Sequence, residues 1–211
     1  MSRIQVNVGG VRIGGGAPIS IQSMTNTDTR NAEATVKQIL ELENAGCEIV
    51  RSSVYDDRCV EVLPQIISKI HIPLVADIHF DYRLAIGAIK AGVAKVRINP
   101  GNIGSEAGVR KLAECASAYG VPIRIGVNGG SLEKELLQKY GVCAEAMVES
   151  AQRHAELLEN CGFGVGSGND CTRLSPGIAN YAVSAPYRCY GGGHGRDRIA
   201  EIRNRNRQPA Y

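Results

Sequence analysis

No uninterrupted apolar run in this 211-residue chain approaches the roughly 18 residues that a bilayer-crossing helix needs. The opening MSRIQVNVGG has neither the basic stretch nor the apolar core of a secretory leader. The seven cysteines are odd in number and include no close pair, so free thiols in a reducing cytoplasm are expected rather than a disulfide framework. Cys143, Cys161, Cys171 and Cys189 are spaced too widely for a C-x-x-C ligand motif, and no metal site is expected from them. A formal net charge of +3 is too small to argue for nucleic acid. The glycine fingerprint of dinucleotide-binding open sheets is missing after every apolar run, which disfavours the doubly wound architecture. Lysine, finally, is absent after Lys139.

What is present is a repeating unit. ISIQSM, EIVRSSV, PLVADIHF, KVRINP and PIRIGV begin at residues 19, 48, 73, 95 and 122, about 22 to 29 residues apart, which is the period of a strand followed by a helix. Between them lie helix signals: Val36, Ile39 and Leu40 ahead of Gly46, then Leu63, Ile66, Ile67 and Ile70 at helical spacing. Ser105 stands where a cap belongs, with Gly120 as the stop, and Ser131 is the expected cap of LEKELLQKYG. The strands read as apolar on both faces, as parallel strands between helices should. The predicted fold is therefore α/β, a TIM-type barrel of which about five of eight strands are recognisable. RIQVNVGGVRIG, alternating about Gly9-Gly10, predicts an N-terminal β-hairpin closing the barrel's lower mouth. The helical stretch AEAMVESAQRHAELLEN should lead into a sixth strand near residue 162, but CGFGVGSGND is too glycine-rich to be one. Residues 1–160 are accordingly expected to be the N-terminal portion of the barrel and 161–211 an irregular Gly/Arg-rich tail. The arginines of that tail resemble those of RNA-binding segments, but without interleaved aromatics; unselected translation explains them better.

Polar side chains punctuate the strands. In a parallel barrel the carboxyl ends of all strands meet at one rim, so Arg51, Arg97 and Arg124 should converge there. Guanidinium groups are permanently charged planar donor forks, and three around one mouth suit a strongly anionic ligand. Asp77 and His79 stand two apart on a strand and share a face; they would orient a substrate hydroxyl, or relay a proton, or else form a buried pair holding the rim. Asn99 and Asn128, each beside glycine, fit turn chemistry as well as ligand contact. QSMTNTDT would cap the following helix or meet a ligand.

PISIQSMTNTDT, EIVRSSV, IPLVADIHFDYRLA, VRINPGNIG and PIRIGVNGGSLEKELLQKYG, in that order from about residue 3 to about 160, resemble the 4-hydroxy-3-methylbut-2-enyl diphosphate synthase family of the non-mevalonate isoprenoid pathway. The resemblance implies a barrel that binds 2-C-methyl-D-erythritol 2,4-cyclodiphosphate, and reductive ring opening with loss of a hydroxyl as water. It also implies a separate domain carrying a 4Fe-4S cluster, a flavodoxin or ferredoxin electron donor, and a homodimer. Arg51, Asp77, His79, Arg97, Asn99, Arg124 and Asn128 fall in the matching motifs as substrate-binding residues; no catalytic residue is singled out. Beyond about residue 160 the pattern is lost, and with it the cluster ligands and a further phosphate-binding lysine. A shifted reading frame or another truncating event is the expected origin of the tail, and the chain is expected to be inactive alone. The alternative is a non-enzymatic remnant or interaction protein with an exposed sheet edge.

Overall fold

The computed structural model describes residues 5–99, 103–127, 129–161 and 163. Asn128 and nearly all of the expected tail over 161–211 lie outside the described residues. The chain opens with β1 (Gln5–Val8) and β2 (Val11–Gly14), paired antiparallel with Val8 opposite Val11. Gly9 and Gly10 make the two-residue turn at φ 55° and 96°, left-handed values that both central positions of a type I′ turn demand.

Five parallel strands follow: β3 (Gln22–Met24), β4 (Ile49–Ser53), β5 (Leu74–Ile78), β6 (Lys95–Ile98) and β7 (Ile123–Ile125). They lie side by side in chain order. A doubly wound sheet reverses its order at a switch point; this one does not, and it is a sector of a singly wound barrel. The helices between strands are α1 (Ala32–Asn44), α2 (Asp57–Ile67), α3 (Tyr82–Lys90) and α4 (Glu106–Tyr119). After β7 come a 3-10 turn (Gly129–Ser131), α5 (Lys134–Tyr140) and α6 (Ala144–Asn160).

Short polar side chains set where the helices begin. Asn31, Asp56, Asp81 and Ser105 each accept a hydrogen bond from a backbone N–H of the first turn. Gly120, at φ 66°, ends α4 as expected. Ser131 is not the cap of α5: it belongs to the 3-10 turn, and Glu133 takes the cap position without a side-chain bond. Helix α2 stops at Ile67, short of Ile70, because Ser68 caps it there. β3 is only three residues long, and Ile19, expected at its start, is 97% exposed on an edge with no described neighbour.

The main core lies between the sheet and the helices. Val50, Leu74, Ala76, Ile78, Val96, Ile98 and Ile123 face Val36 and Ile39 of α1, Leu63 and Ile66 of α2, Ala85 and Ile89 of α3, and Leu112 of α4. Each such fully buried aliphatic side chain contributes about 1.5–3 kcal/mol. Phe163, just past α6, is buried in the same core.

The other face of the sheet departs from the expectation that both faces are apolar. Its lower part is apolar, where Ile49 and Val75 pack against Val8 of the hairpin, with Val6, Val11 and Ile13 around them. The tip of the hairpin presses on Pro73 and Ala94, at the amino ends of β5 and β6, so the hairpin covers that end of the sheet as predicted. Above this plug the same face carries Arg51, Asp77, Arg97 and Arg124. On this face, turned away from the helices, Asp77 and Arg97 offset each other's burial by pairing.

Candidate anion-binding site

Strand register sets the site's geometry. Asp77 is opposite Arg97, and Arg97 is opposite Arg124, so the three side chains form one row across β5, β6 and β7. In β4 the member of this row is Ser53; Arg51 pairs with Val75, one row lower. Arg51 is thus in mid-strand rather than at a strand's end, and it reaches up to the row because its side chain is long.

The row is organised by one carboxylate. Asp77 is 2% exposed, and its Oδ1 accepts from Arg97 Nη1 at 2.9 Å. Arg51 Nε is 3.4 Å from Asp77 Oδ2. That Nε is buried and makes no hydrogen bond among the described residues. His79 Nε2 lies 3.3 Å from Arg97 Nη1 and 3.9 Å from Asp77 Oδ1, so Asp77 and His79 do share a face. Arg97, 8% exposed, also donates from Nη2 to the carbonyl of Gly126 at 3.3 Å. Asn99, two residues beyond Arg97, is buried at 3% exposure.

Arg124 has a different environment. Burial pushes its guanidinium below the usual arginine range, the charges of Arg51 and Arg97 push it further, and Asp77 offsets only part. Three cations share one carboxylate. This face of the sheet therefore carries an excess of positive charge on groups that are partly withdrawn from water, which is the electrostatic form of a site for a multiply charged anion.

The rim beside the site is braced by hydroxyls and charges. Thr25 Oγ1 donates to Ser52 Oγ at 2.9 Å and Thr29 Oγ1 to the Ser53 carbonyl at 2.7 Å, so QSMTNTDT is pinned to β4 and does not cap α1. Arg30 joins Asp28 at 2.6 Å and Asp56 at 3.6 Å, and its guanidinium lies 5.2 Å from the Tyr55 ring centre. The Tyr55 hydroxyl bonds Asp28. Nothing in sequence spacing marks this brace, which joins the loop after β3 to the loop after β4. Sequence reasoning also missed Met24, whose Sδ lies 3.1 Å from Arg51 Nη2.

Comparison with known proteins agrees with this architecture. The family model described as the GcpE TIM-barrel domain matches residues 3–166. The chain belongs to that family. Among curated GcpE relatives, a 4-hydroxy-3-methylbut-2-en-1-yl diphosphate synthase (flavodoxin) of Clostridium tetani is 57% identical over 161 residues, covering 76% of this chain and 46% of that protein. The protein of the same name from Listeria monocytogenes is 57% identical over 159 residues, covering 75% and 43%. The chain spans a little under half the length of these relatives. Among solved structures, a Yersinia pestis dihydropteroate synthase superposes with a TM-score of 0.54 at 15% identity, covering 80% of this chain and 61% of that one. The Vibrio fischeri dihydropteroate synthase gives 0.56 at 10% identity, covering 77% and 63%. At such identities these two show the barrel fold alone.

The resemblance implies an iron–sulfur cluster, so the donor set of this chain bears on the cofactor. Among the described residues no group of three or more His, Cys, Asp or Glu converges as metal ligands. Cys47 and Cys59 are buried, and desolvation raises both thiols above their ordinary range, which opposes the thiolate form a cluster needs. The described residues do not fit a 4Fe-4S cluster. Cys171 and Cys189 lie outside them. No described helix is long and apolar enough to cross a membrane.

Proposed function

We propose that this chain carries the diphosphate-binding half of a 4-hydroxy-3-methylbut-2-en-1-yl diphosphate synthase barrel and binds 2-C-methyl-D-erythritol 2,4-cyclodiphosphate. The observation that supports it is the single buried carboxylate of Asp77 among Arg51, Arg97 and Arg124. In this reading Arg51, Arg97 and Arg124 donate to phosphate oxygens, and Asp77 and His79 hold Arg97 in place. Asn99, buried two residues beyond Arg97, and Asn128, which lies outside the described residues, are assigned to substrate binding in the same reading. Residues 1–160 are assigned to the binding portion and 161–211 to a tail, of which Cys161 and Phe163 nonetheless pack in the core.

Reduction and loss of the hydroxyl belong, in this reading, to parts of the relatives that the chain does not span. A flavodoxin donor is inferred from the relatives' printed name, and a homodimer and a cytoplasmic setting from the family resemblance alone. The chain alone should bind without turnover. Isothermal titration of the full chain with the cyclodiphosphate tests the reading: Arg124→Ala should weaken binding about tenfold or more, the loss of one charge-assisted contact. Equal affinity in that variant, or no binding by the wild type, sinks it.

One observation favours a second reading, an interaction protein with an exposed sheet edge. Ile19 and Ile21 are exposed beside β3, whose outer edge pairs with no described strand. Sedimentation showing only monomer across a wide concentration range would dismiss it.

A further inference from the structure

Gly126 follows β7 directly, and its place in the fold is defined by a neighbour rather than by its backbone angles. A methyl group at this position would lie 2.6 Å from Arg97 Nη2 and 2.8 Å from Cζ, and closer still to Nε. Carbon cannot approach nitrogen so nearly without one of them moving. Gly126 is not among the glycines with positive φ, so conformational freedom is not the reason for glycine here. The group that would have to yield is the end of the Arg97 side chain, whose position depends on Asp77 at 2.9 Å, His79 at 3.3 Å and the Gly126 carbonyl itself at 3.3 Å.

Resting on the anion-site reading above, we propose that Gly126 is a positioning residue: its missing side chain is the clearance that lets the Arg97 guanidinium lie flat between Asp77 and the backbone after β7. The guanidinium then meets the ligand in a fixed orientation. Filling the clearance swings the flexible end of Arg97 away from Asp77. Because the displaced group is a side chain and not backbone, the strand can keep its path, but parting the buried Arg97–Asp77 pair lowers stability as well as ligand affinity.

The test is a double-mutant cycle on the full chain, titrated with inorganic diphosphate. Gly126→Ala and Arg97→Ala should each weaken binding about tenfold, and the double variant should be no weaker than Arg97→Ala alone, since both remove one contact. Losses that add, or a Gly126→Ala protein that binds like the wild type, overturn the proposal. Gly130→Ala, where a methyl group meets nothing within 4 Å, is the control that should bind normally. If Gly126→Ala does not fold, Arg97→Lys/Gly126→Ala decides, because lysine lacks the planar group that needs the space. A folded double variant supports the clearance role, and an unfolded one refutes it. If the wild type binds no diphosphate, the anion-site reading falls by itself. The clearance is then judged by the Arg97 Nε–H resonance in nitrogen-15 NMR, which Gly126→Ala must shift; an unmoved resonance overturns it.

Discussion

Asp77→Asn would remove the only carboxylate that Arg51 and Arg97 contact among the described residues while keeping the side chain's shape. Asp77 and Arg97 are both nearly inaccessible, with side chains 2% and 10% exposed and 2.9 Å apart. Removing one partner of a buried ion pair typically costs about 3–5 kcal/mol, because the remaining charge keeps its desolvation penalty without compensation. The amide oxygen of asparagine can still accept from Arg97 Nη1, so the lower end of that range, about 3 kcal/mol, is expected. Against a total stability of about 5–15 kcal/mol this is a large fraction. In urea, with a slope of about 1–3 kcal/mol per molar, the midpoint should fall by about 1–3 M. Added diphosphate should restore more stability to the variant than it gives the wild type, since the anion supplies the charge that asparagine lacks. An unchanged urea midpoint would show that Asp77 does not neutralise the arginines, and the account of the site would be wrong.

Two further outcomes follow from other parts of the molecule. Gly9→Ala must hold a left-handed φ of 55° and bring its methyl group 2.6 Å from Pro73 Cβ, so it should lower stability by about 1–2 kcal/mol or more, read as a drop in thermal midpoint. The Tyr55 phenol is pushed up to about 12, chiefly by its hydrogen bond to Asp28. Its folded value is raised, so this bond's contribution is complete below pH 10 and fades as pH rises through about 12. Ultraviolet titration should show one phenol ionising near 12 that Tyr55→Phe eliminates, and loss of a lower-titrating tyrosine instead would refute the brace. Asp28 is the mirror case: Arg30 holds its carboxyl far below the usual range, so its share persists above the ordinary carboxylate value and goes only in strong acid.

Much of this architecture was legible because it depends on period. Strand and helix alternation, the Ser105 cap, the Gly120 stop and the Gly9-Gly10 turn are local signals, and local physics decides them. Ser131 misled because a hydroxyl before a helical run looks like a cap whether or not a 3-10 turn intervenes. The two-sided apolar reading of the strands failed for a different reason. Arg51, Asp77, Arg97 and Arg124 alternate with Val50, Ala76, Val96 and Ile123, but in strands of three to five residues that alternation is too short to separate from strand-end polarity. The convergence of the three arginines was anticipated from fold class. The row that Arg51 occupies, the central place of Asp77 and the closeness of Gly126 to Arg97 depend on register and distance, which one sequence does not contain.

Because the five parallel strands are laid down in the order in which they are made, every strand finds its partner within one preceding unit of chain. No described pairing waits for a distant segment to be synthesised. Such nearest-neighbour growth lowers the loop-closure cost of each step and suits assembly as the polypeptide leaves the ribosome. A ring whose first and last staves must meet defers that cost to its final act, whereas this sector settles its own interior one stave at a time.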